Sequence, residues 1–279
     1  MTVLEVIVSA TGHLEKHGIE QPRLQAEHLL AHVLGLKRLA LYMEFDRTLS
    51  DAERAPLREL VRSRSTGVPL QHLMGTAAFY GREFLCDSRA LIPRPETEQL
   101  VEFLLKEMKD QPSPTVIDVG TGSGIIALTL ALERPDATVH SSDISPDALA
   151  LARENAARHG IDGRVHLHEA DLLPIELPNP DWIVANLPYI SHADIASLSR
   201  EVQNDPVTAL DGGEDGLILI RKLIELAPER FAGPFGIALE IGHGQSGAVS
   251  DLLASHNFRD IQRLRDYQEV ERFIFAKHG

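Results

Sequence analysis

Hydrophobic positions along the chain change period twice. Over residues 1–75 they recur at helical spacing: Leu29, Leu30, Val33, Leu34 and Leu36 form one set, and Leu57, Leu60 and Val61 another. Gly12, Gly18, Gly35 and Gly67 punctuate this run. Ser50-Asp51-Ala52-Glu53 has the form of a capped helix start, with Glu three residues after Ser. Between about 76 and 92 the period shortens, and Ala78 to Leu85 predicts a β-hairpin around Gly81 that would connect two domains. Pro93 and Pro95 stiffen the next stretch, and a helix is expected from Glu96 or Thr97.

From 115 onward, short apolar runs alternate with amphipathic ones. Strands are expected at 115–119, 138–143, 164–169, 181–185, 235–241, 258–265 and 271–277, and helices at 97–109, 124–133, 146–159, 216–229 and 245–255. Such alternation predicts a parallel sheet covered on both faces. Only residues 266–270 join the last two strands, too few for a crossover helix, so these should pair antiparallel. The expected architecture is α/β: a seven-stranded, mostly parallel, Rossmann-like sheet over 93–279, a hairpin linker over 76–92 and a small helical domain over 1–75.

Composition narrows the class. With 279 residues, 43% hydrophobic and 24% charged, the chain has ample length for a core. The opening residues lack a basic segment and carry Glu5, so no secretory signal is expected, and no apolar run approaches a membrane span. The single cysteine, Cys86, excludes an internal disulfide and suits a reducing cytoplasm. Residues 1–75 are charge-balanced, so the whole net charge of −14 falls on the remainder. An acidic catalytic half argues against gripping a duplex through many phosphates, and neither stable nucleic-acid binding nor membrane binding is expected. The thirteen histidines show no metal-ligand spacing, and no metal is expected.

Candidate chemistry gathers at predicted strand ends, where open α/β sheets bind ligands. Thr115 to Gly124 reads as a strand followed by the glycine-rich turn Gly120-Thr121-Gly122-Ser123-Gly124. The next strand ends in Asp143, placed to accept hydrogen bonds from ribose hydroxyls, and Asp171 ends the one after. Two cofactor classes fit. Gly122-Ser-Gly124-Ile-Ile-Ala127 formally matches a dinucleotide turn, whereas Asp118, the glycine spacing and the density of acids favour S-adenosyl-L-methionine, whose sulfonium is a cation. The candidate cofactor residues are Gly120, Thr121, Gly122, Ser123, Gly124, Asp143, Ile144, Asp171, Leu172 and Asn186.

The candidate catalytic residues are Asn186, Leu187, Pro188 and Tyr189, which follow the apolar run Trp182 to Ala185. By itself the tetrapeptide could be a strand-ending turn. Alternatively, the Asn186 side-chain oxygen and the Leu187 carbonyl form a polar clamp, Tyr189 a flat wall, and the whole suits a planar NH2 group. Trp182 is expected in the core, His243 in a turn, and Asp211-Gly-Gly-Glu-Asp215 in an acidic loop capping the next helix. Arg94 could pin a carboxylate, or pair locally with Glu96 or Glu98.

Several motifs together resemble the bacterial release-factor glutamine methyltransferases (HemK/PrmC). They are Asp-Val-Gly-Thr-Gly-Ser-Gly at 118–124, Ile-Pro-Arg-Pro-Glu-Thr-Glu at 92–98, Leu210 to Leu217, Pro69 to Gly75, and Glu240-Ile241-Gly242. The resemblance covers nearly the whole chain. It implies S-adenosylmethionine-dependent methylation of the glutamine side-chain amide in the Gly-Gly-Gln motif of class 1 peptide chain release factors, with the helical domain contributing to recognition of that protein partner. The family tetrapeptide is Asn-Pro-Pro-Tyr; Leu187 replaces its first proline, and a looser loop is expected. Three rival functions remain: an amino-methyltransferase acting on adenine or cytosine in nucleic acid, a non-catalytic cofactor-binding scaffold and, more distantly, NAD-dependent reduction.

Overall fold

The computed structural model describes residues 1–279, which divide into two compact units. The first comprises Met1–Thr76 together with Ser199–Asn204. Its helices are α1 (Val3–Lys16), α2 (Pro22–Leu34), α3 (Asp51–Ser65) and the short α4 (Leu70–Met74). Capping boxes open α1 at Thr2 with Glu5 and α3 at Ser50 with Glu53, each satisfying otherwise orphaned backbone N–H groups. Gly12 does not punctuate: it lies inside α1, with no atom within 4 Å of where its Cβ would be. The core is aliphatic, centred on Ile7, Leu14, Leu29, Leu30 and Leu41.

The second unit comprises Ala77–Leu198 and Asp205–Gly279. Strands β1 (Thr76–Phe79) and β2 (Arg82–Leu85) form the expected hairpin. Its turn residues Tyr80 and Gly81 both have positive φ, 49° and 72°, as the tight twist of a two-residue hairpin requires. Phe79 and Phe84 are fully buried in this unit's core, so from Ala77 on the hairpin is part of it.

Along the chain there follow α5 (Pro95–Glu107), β3 (Thr115–Val119), α6 (Ile125–Glu133), β4 (Thr138–Asp143), α7 (Pro146–Arg158), β5 (Val165–Glu169) and β6 (Trp182–Ala185). After them come α8 (Ile218–Arg230), β7 (Phe235–Glu240), α9 (Ser246–Ser255), β8 (Phe258–Arg265) and β9 (Glu271–His278). Helix α5 starts two residues before Thr97, because Pro95 at its first position has a helical φ and no N–H to satisfy. Helix α8 starts at Ile218 rather than 216, because Gly216 turns left-handed at φ 74°.

The seven-stranded sheet runs β5-β4-β3-β6-β7-β9-β8. Strands β3 to β7 pair parallel; β9 is the single reversed strand, inserted between β7 and β8 and antiparallel to both. Side chains alternate across it. Val116, Val184 and Phe275 face the layer of α5, α6 and α7, while Ile117, Ile183 and Ile274 face that of α8 and α9. Trp182 is in the core as expected. Its ring lies over Gly236, its cross-strand neighbour, and the Lys277 ammonium sits 3.8 Å from the ring centroid.

A Cβ on Gly236 would stand 2.4 Å from Trp182 Cε3. Gly236→Ala is therefore expected to cost roughly 1–3 kcal/mol of stability, as overpacked cores do. A urea midpoint equal to that of the natural protein would contradict this packing.

Candidate active site

At the end of β3 the chain turns through Gly120, Gly122 and Gly124, all left-handed, with φ of 73°, 56° and 84°. Most of this turn's donors are spent internally. The N–H groups of Gly120 and Thr121 both donate to the Ser142 carbonyl, at 2.8 and 2.9 Å, and Gly124 N–H donates to the Thr121 carbonyl. Gly122 N–H donates to Asp143 Oδ2 at 2.8 Å, while Ser145 N–H holds Asp143 Oδ1 at 2.9 Å. Asn155, on α7, ties the turn to the hairpin: its Nδ2 donates to the Ser123 and Leu85 carbonyls and its Oδ1 accepts from Leu85 N–H. Nothing in the sequence singled out Asn155, since a lone Asn inside a helix carries no motif.

These strand ends open onto a cavity of about 410 Å³. It is lined by Gly120, Thr121, Gly122, Ser123, Asp143, Ile144, Asp171, Leu172, Asn186, Leu187 and Pro188 among the candidate residues. Gly124 and Tyr189 do not line it. Gly124 caps α6, and Tyr189, expected as a wall, lies behind the site, where its hydroxyl donates to Glu240 Oε1 at 3.4 Å. Asp171 pairs with Lys222 at the exposed rim. Arg94 does hold a carboxylate, neither of its near neighbours but Asp205, at 2.6 Å; Asp205 also accepts from Ile92 N–H.

Asn186 directly follows β6. Its Nδ2 donates to Thr97 Oγ1 at 3.1 Å, and the Thr97 hydroxyl donates to Glu240 Oε2 at 2.7 Å. The Asn186 side-chain oxygen and the Leu187 carbonyl accept no hydrogen bond from the protein. Glu240 closes β7 and is almost wholly buried. Burial pushes its carboxyl up to about 7, with Glu96 adding repulsion, against the lowering effects of Thr97, Arg272 and Tyr189.

Where a looser loop is expected at Leu187, the structure shows its side chain packed inward. Its side chain is 3% exposed and reaches within 2.8 Å of where a Gly120 Cβ would stand. Packing against the glycine-rich turn anchors the loop where a ring would have stiffened it. The Leu210–Leu217 segment also differs from expectation. Beyond its acidic contacts, its glycines press on the tetrapeptide backbone: a Cβ at Gly212 would lie 2.7 Å from the Pro188 carbonyl oxygen, and one at Gly216 2.3 Å from that of Tyr189. Gln245 completes the clasp, donating to the Tyr189 carbonyl at 3.0 Å and accepting from Gly242 N–H.

Residues 5–75 match the family described as the PrmC N-terminal domain, and residues 96–224 match the methyltransferase small domain. The release factor glutamine methyltransferase of Deinococcus radiodurans is 40% identical over 280 residues, covering 100% of this chain and 99% of the relative. That of Geobacter sulfurreducens is 39% identical over 281 residues, covering 100% and 97%. The chain belongs to the release factor glutamine methyltransferase family. The catalytic domain of hMettl16, solved with a MAT2A 3′UTR hairpin, superposes with a TM-score of 0.60 over 81% of this chain and 82% of that one; at 12% identity it shows a shared fold.

Family membership implies S-adenosylmethionine as cofactor, and the residues of this family member fit it. A pyrophosphate would need free backbone donors at the glycine turn, and most are already engaged. The two arginines at the cavity, Arg89 and Arg94, are both neutralised by carboxylates. What remains is an apolar-walled cavity with acidic strand ends, suited to a nucleoside carrying a cation.

Asp118, beneath the turn, is fully buried. Its Oδ2 accepts from the Thr121 hydroxyl and Ala127 N–H, and its Oδ1 has no partner. Burial, with a smaller contribution from Asp143, raises its carboxyl to about 7. The unfolded chain titrates this group at about 3.9, so stability present below that pH is lost as pH rises towards 7. Asp118→Asn should therefore gain thermal stability relative to the natural protein between about pH 4 and 7, with a constant difference above that. A pH-independent difference in Tm would contradict the buried-carboxyl account.

Proposed function

We propose that this family member transfers a methyl group from S-adenosylmethionine to the side-chain amide nitrogen of the glutamine in the Gly-Gly-Gln motif of class 1 peptide chain release factors. The observation that carries the reading is the pair of unengaged acceptors at the end of β6, the Asn186 side-chain oxygen and the Leu187 carbonyl, on the cavity that holds the glycine turn. An amide nitrogen is a poor nucleophile because its lone pair is delocalised into the carbonyl. Orientation is thus the first requirement. Each acceptor takes one hydrogen of the substrate NH2, which directs the nitrogen lone pair along the line of attack and favours its pyramidalisation. As the N–CH3 bond forms the methyl–sulfur bond breaks, its electron pair staying on sulfur, and one amide proton leaves late to water.

Bound S-adenosylmethionine supplies a methyl group activated by the neighbouring sulfonium. Asp143 holds the ribose hydroxyls, while Ile144 and Leu172 offer apolar surface to the base. Holding two reactants in attack geometry lowers a barrier by several kcal/mol, up to about 7–11. Residues 1–75 contribute the release-factor docking surface, and the protein works in the cytoplasm beside its substrate. No helix is long and apolar enough to cross a membrane.

The direct test is mass spectrometry of a purified release factor after incubation with this protein and cofactor. One added methyl group on the Gly-Gly-Gln glutamine is expected, and none when that glutamine is replaced. Transfer to RNA or DNA with no transfer to the release factor would overturn the reading. Asn186→Ala should lower kcat about 100-fold, the scale of losing one oriented transition-state contact. Asp143→Ala should chiefly weaken cofactor binding, measured by calorimetry; an unchanged Kd would remove Asp143 from the site.

A further inference from the structure

We propose that Thr97 and Glu240 are positioning residues: Glu240 fixes the direction of the Thr97 hydroxyl, which in turn fixes which end of the Asn186 carboxamide faces the substrate. The inference rests on the amide-methylation reading above and extends it to two residues outside the tetrapeptide. A carboxamide is nearly symmetric in shape, and turning it over would exchange acceptor for donor. An Asn186 presenting NH2 to the substrate's own NH2 would repel what it has to hold. Something must therefore choose the end, and packing cannot.

Hydrogen-bond direction can. The Thr97 hydroxyl has one proton, and the 2.7 Å contact places it on Glu240 Oε2. Its lone pairs are then all that Thr97 offers to Asn186, so the group 3.1 Å away must be a donor, the Nδ2 end. The Asn186 oxygen is left for the cavity. The chain of logic reverses if Glu240 carries a proton on Oε2. The carboxyl would then donate to Thr97, the Thr97 proton would turn towards Asn186, and the carboxamide would be drawn round to accept it. Ionised Glu240 corresponds to an acceptor facing the substrate; neutral Glu240 corresponds to a donor.

The groups facing Glu240 come from three elements. Thr97 and Glu96 lie on α5, Tyr189 on the loop after β6, and Arg272 on β9, itself hydrogen-bonded to Asp266. Tyr189 keeps its proton, its phenol pushed further up by burial and by Glu240. The titrating member in the neutral range is thus Glu240, near 7. Activity should rise about tenfold per pH unit towards that value and level off above it.

The test uses the full chain with release factor and cofactor. Thr97→Val keeps the shape and removes both hydrogen bonds; kcat is expected to fall roughly 10-fold to 100-fold while the cofactor Kd stays within about 2-fold. Thr97→Ser restores the hydroxyl and should recover most of the loss. Glu240→Gln should abolish the rising pH limb and leave a flat profile, because an amide does not titrate in this range. Independently of activity, the Asn186 side-chain amide resonance, assigned by its absence in Asn186→Ala, should titrate with a midpoint near 7 and cease to do so in Glu240→Gln. If Thr97→Val does not fold, Thr97→Ser and Glu240→Gln decide alone. A Glu240→Gln enzyme that keeps the limb, or an amide resonance indifferent to pH, overturns the relay while leaving the amide-methylation reading intact. Near-normal turnover in Asn186→Ala overturns that reading itself.

Discussion

Three missing side chains hold the active site together. Residues 186–189 are held by the Leu187 side chain packing on Gly120, and their backbone is approached by Gly212 beneath the Pro188 carbonyl and by Gly216 beneath that of Tyr189; a Cβ at any of the three glycines would stand within 2.8 Å of its neighbour. The loop after β6 is thus clasped between the glycine-rich turn on one side and the segment before α8 on the other. A carbonyl oxygen held this way points where the clasp puts it. In the proposed reaction, whose difficulty is orienting a weak nucleophile, a fixed backbone acceptor beside the Asn186 side-chain oxygen is the part the protein has to supply.

Two of the carboxylates that the second unit buries, Asp118 and Glu240, lie at or next to the end of a strand. Burial costs the charged form and brings both towards neutrality, yet each has a different set of partners. Asp118 receives two hydrogen bonds, from Thr121 in the glycine-rich turn and from Ala127 in the first turn of α6. Glu240 receives two, from the hydroxyls of Thr97 and Tyr189. Asp143, by contrast, is partly exposed, and two backbone N–H groups fix its orientation. Three acids at the ends of strands in one sheet therefore do unlike work because their surroundings differ.

The first unit shows the same economy with charge. Glu27 is buried under Arg23, Arg38 and Tyr42, and Arg64, wholly buried, meets Gln25, the Val68 carbonyl and Glu201. A buried ion is tolerated only where its donors or acceptors are met, and removing one partner costs more than the pair contributes. These contacts tie α2, α3 and the chain at 199–204 into one helical unit.

Local pattern was enough to determine the elements. The strands from Thr115 to His278, the helices between them and the antiparallel pairing of the last two strands follow from hydrophobic period and connection length, both properties of neighbouring residues. The strand-end acids and the glycine turn were legible for the same reason, since each sits within a few residues of the element that aims it. What tertiary structure alone decided is which distant residues meet. The insertion of β9 between β7 and β8, the pairing of Arg94 with Asp205, the clasp on residues 186–189 and the run from Asn186 through Thr97 to Glu240 all join positions far apart in sequence. No period along the chain encodes such contacts. They are fixed by the order in which the strands lie side by side, and that order is settled only when the whole apolar surface is buried at once.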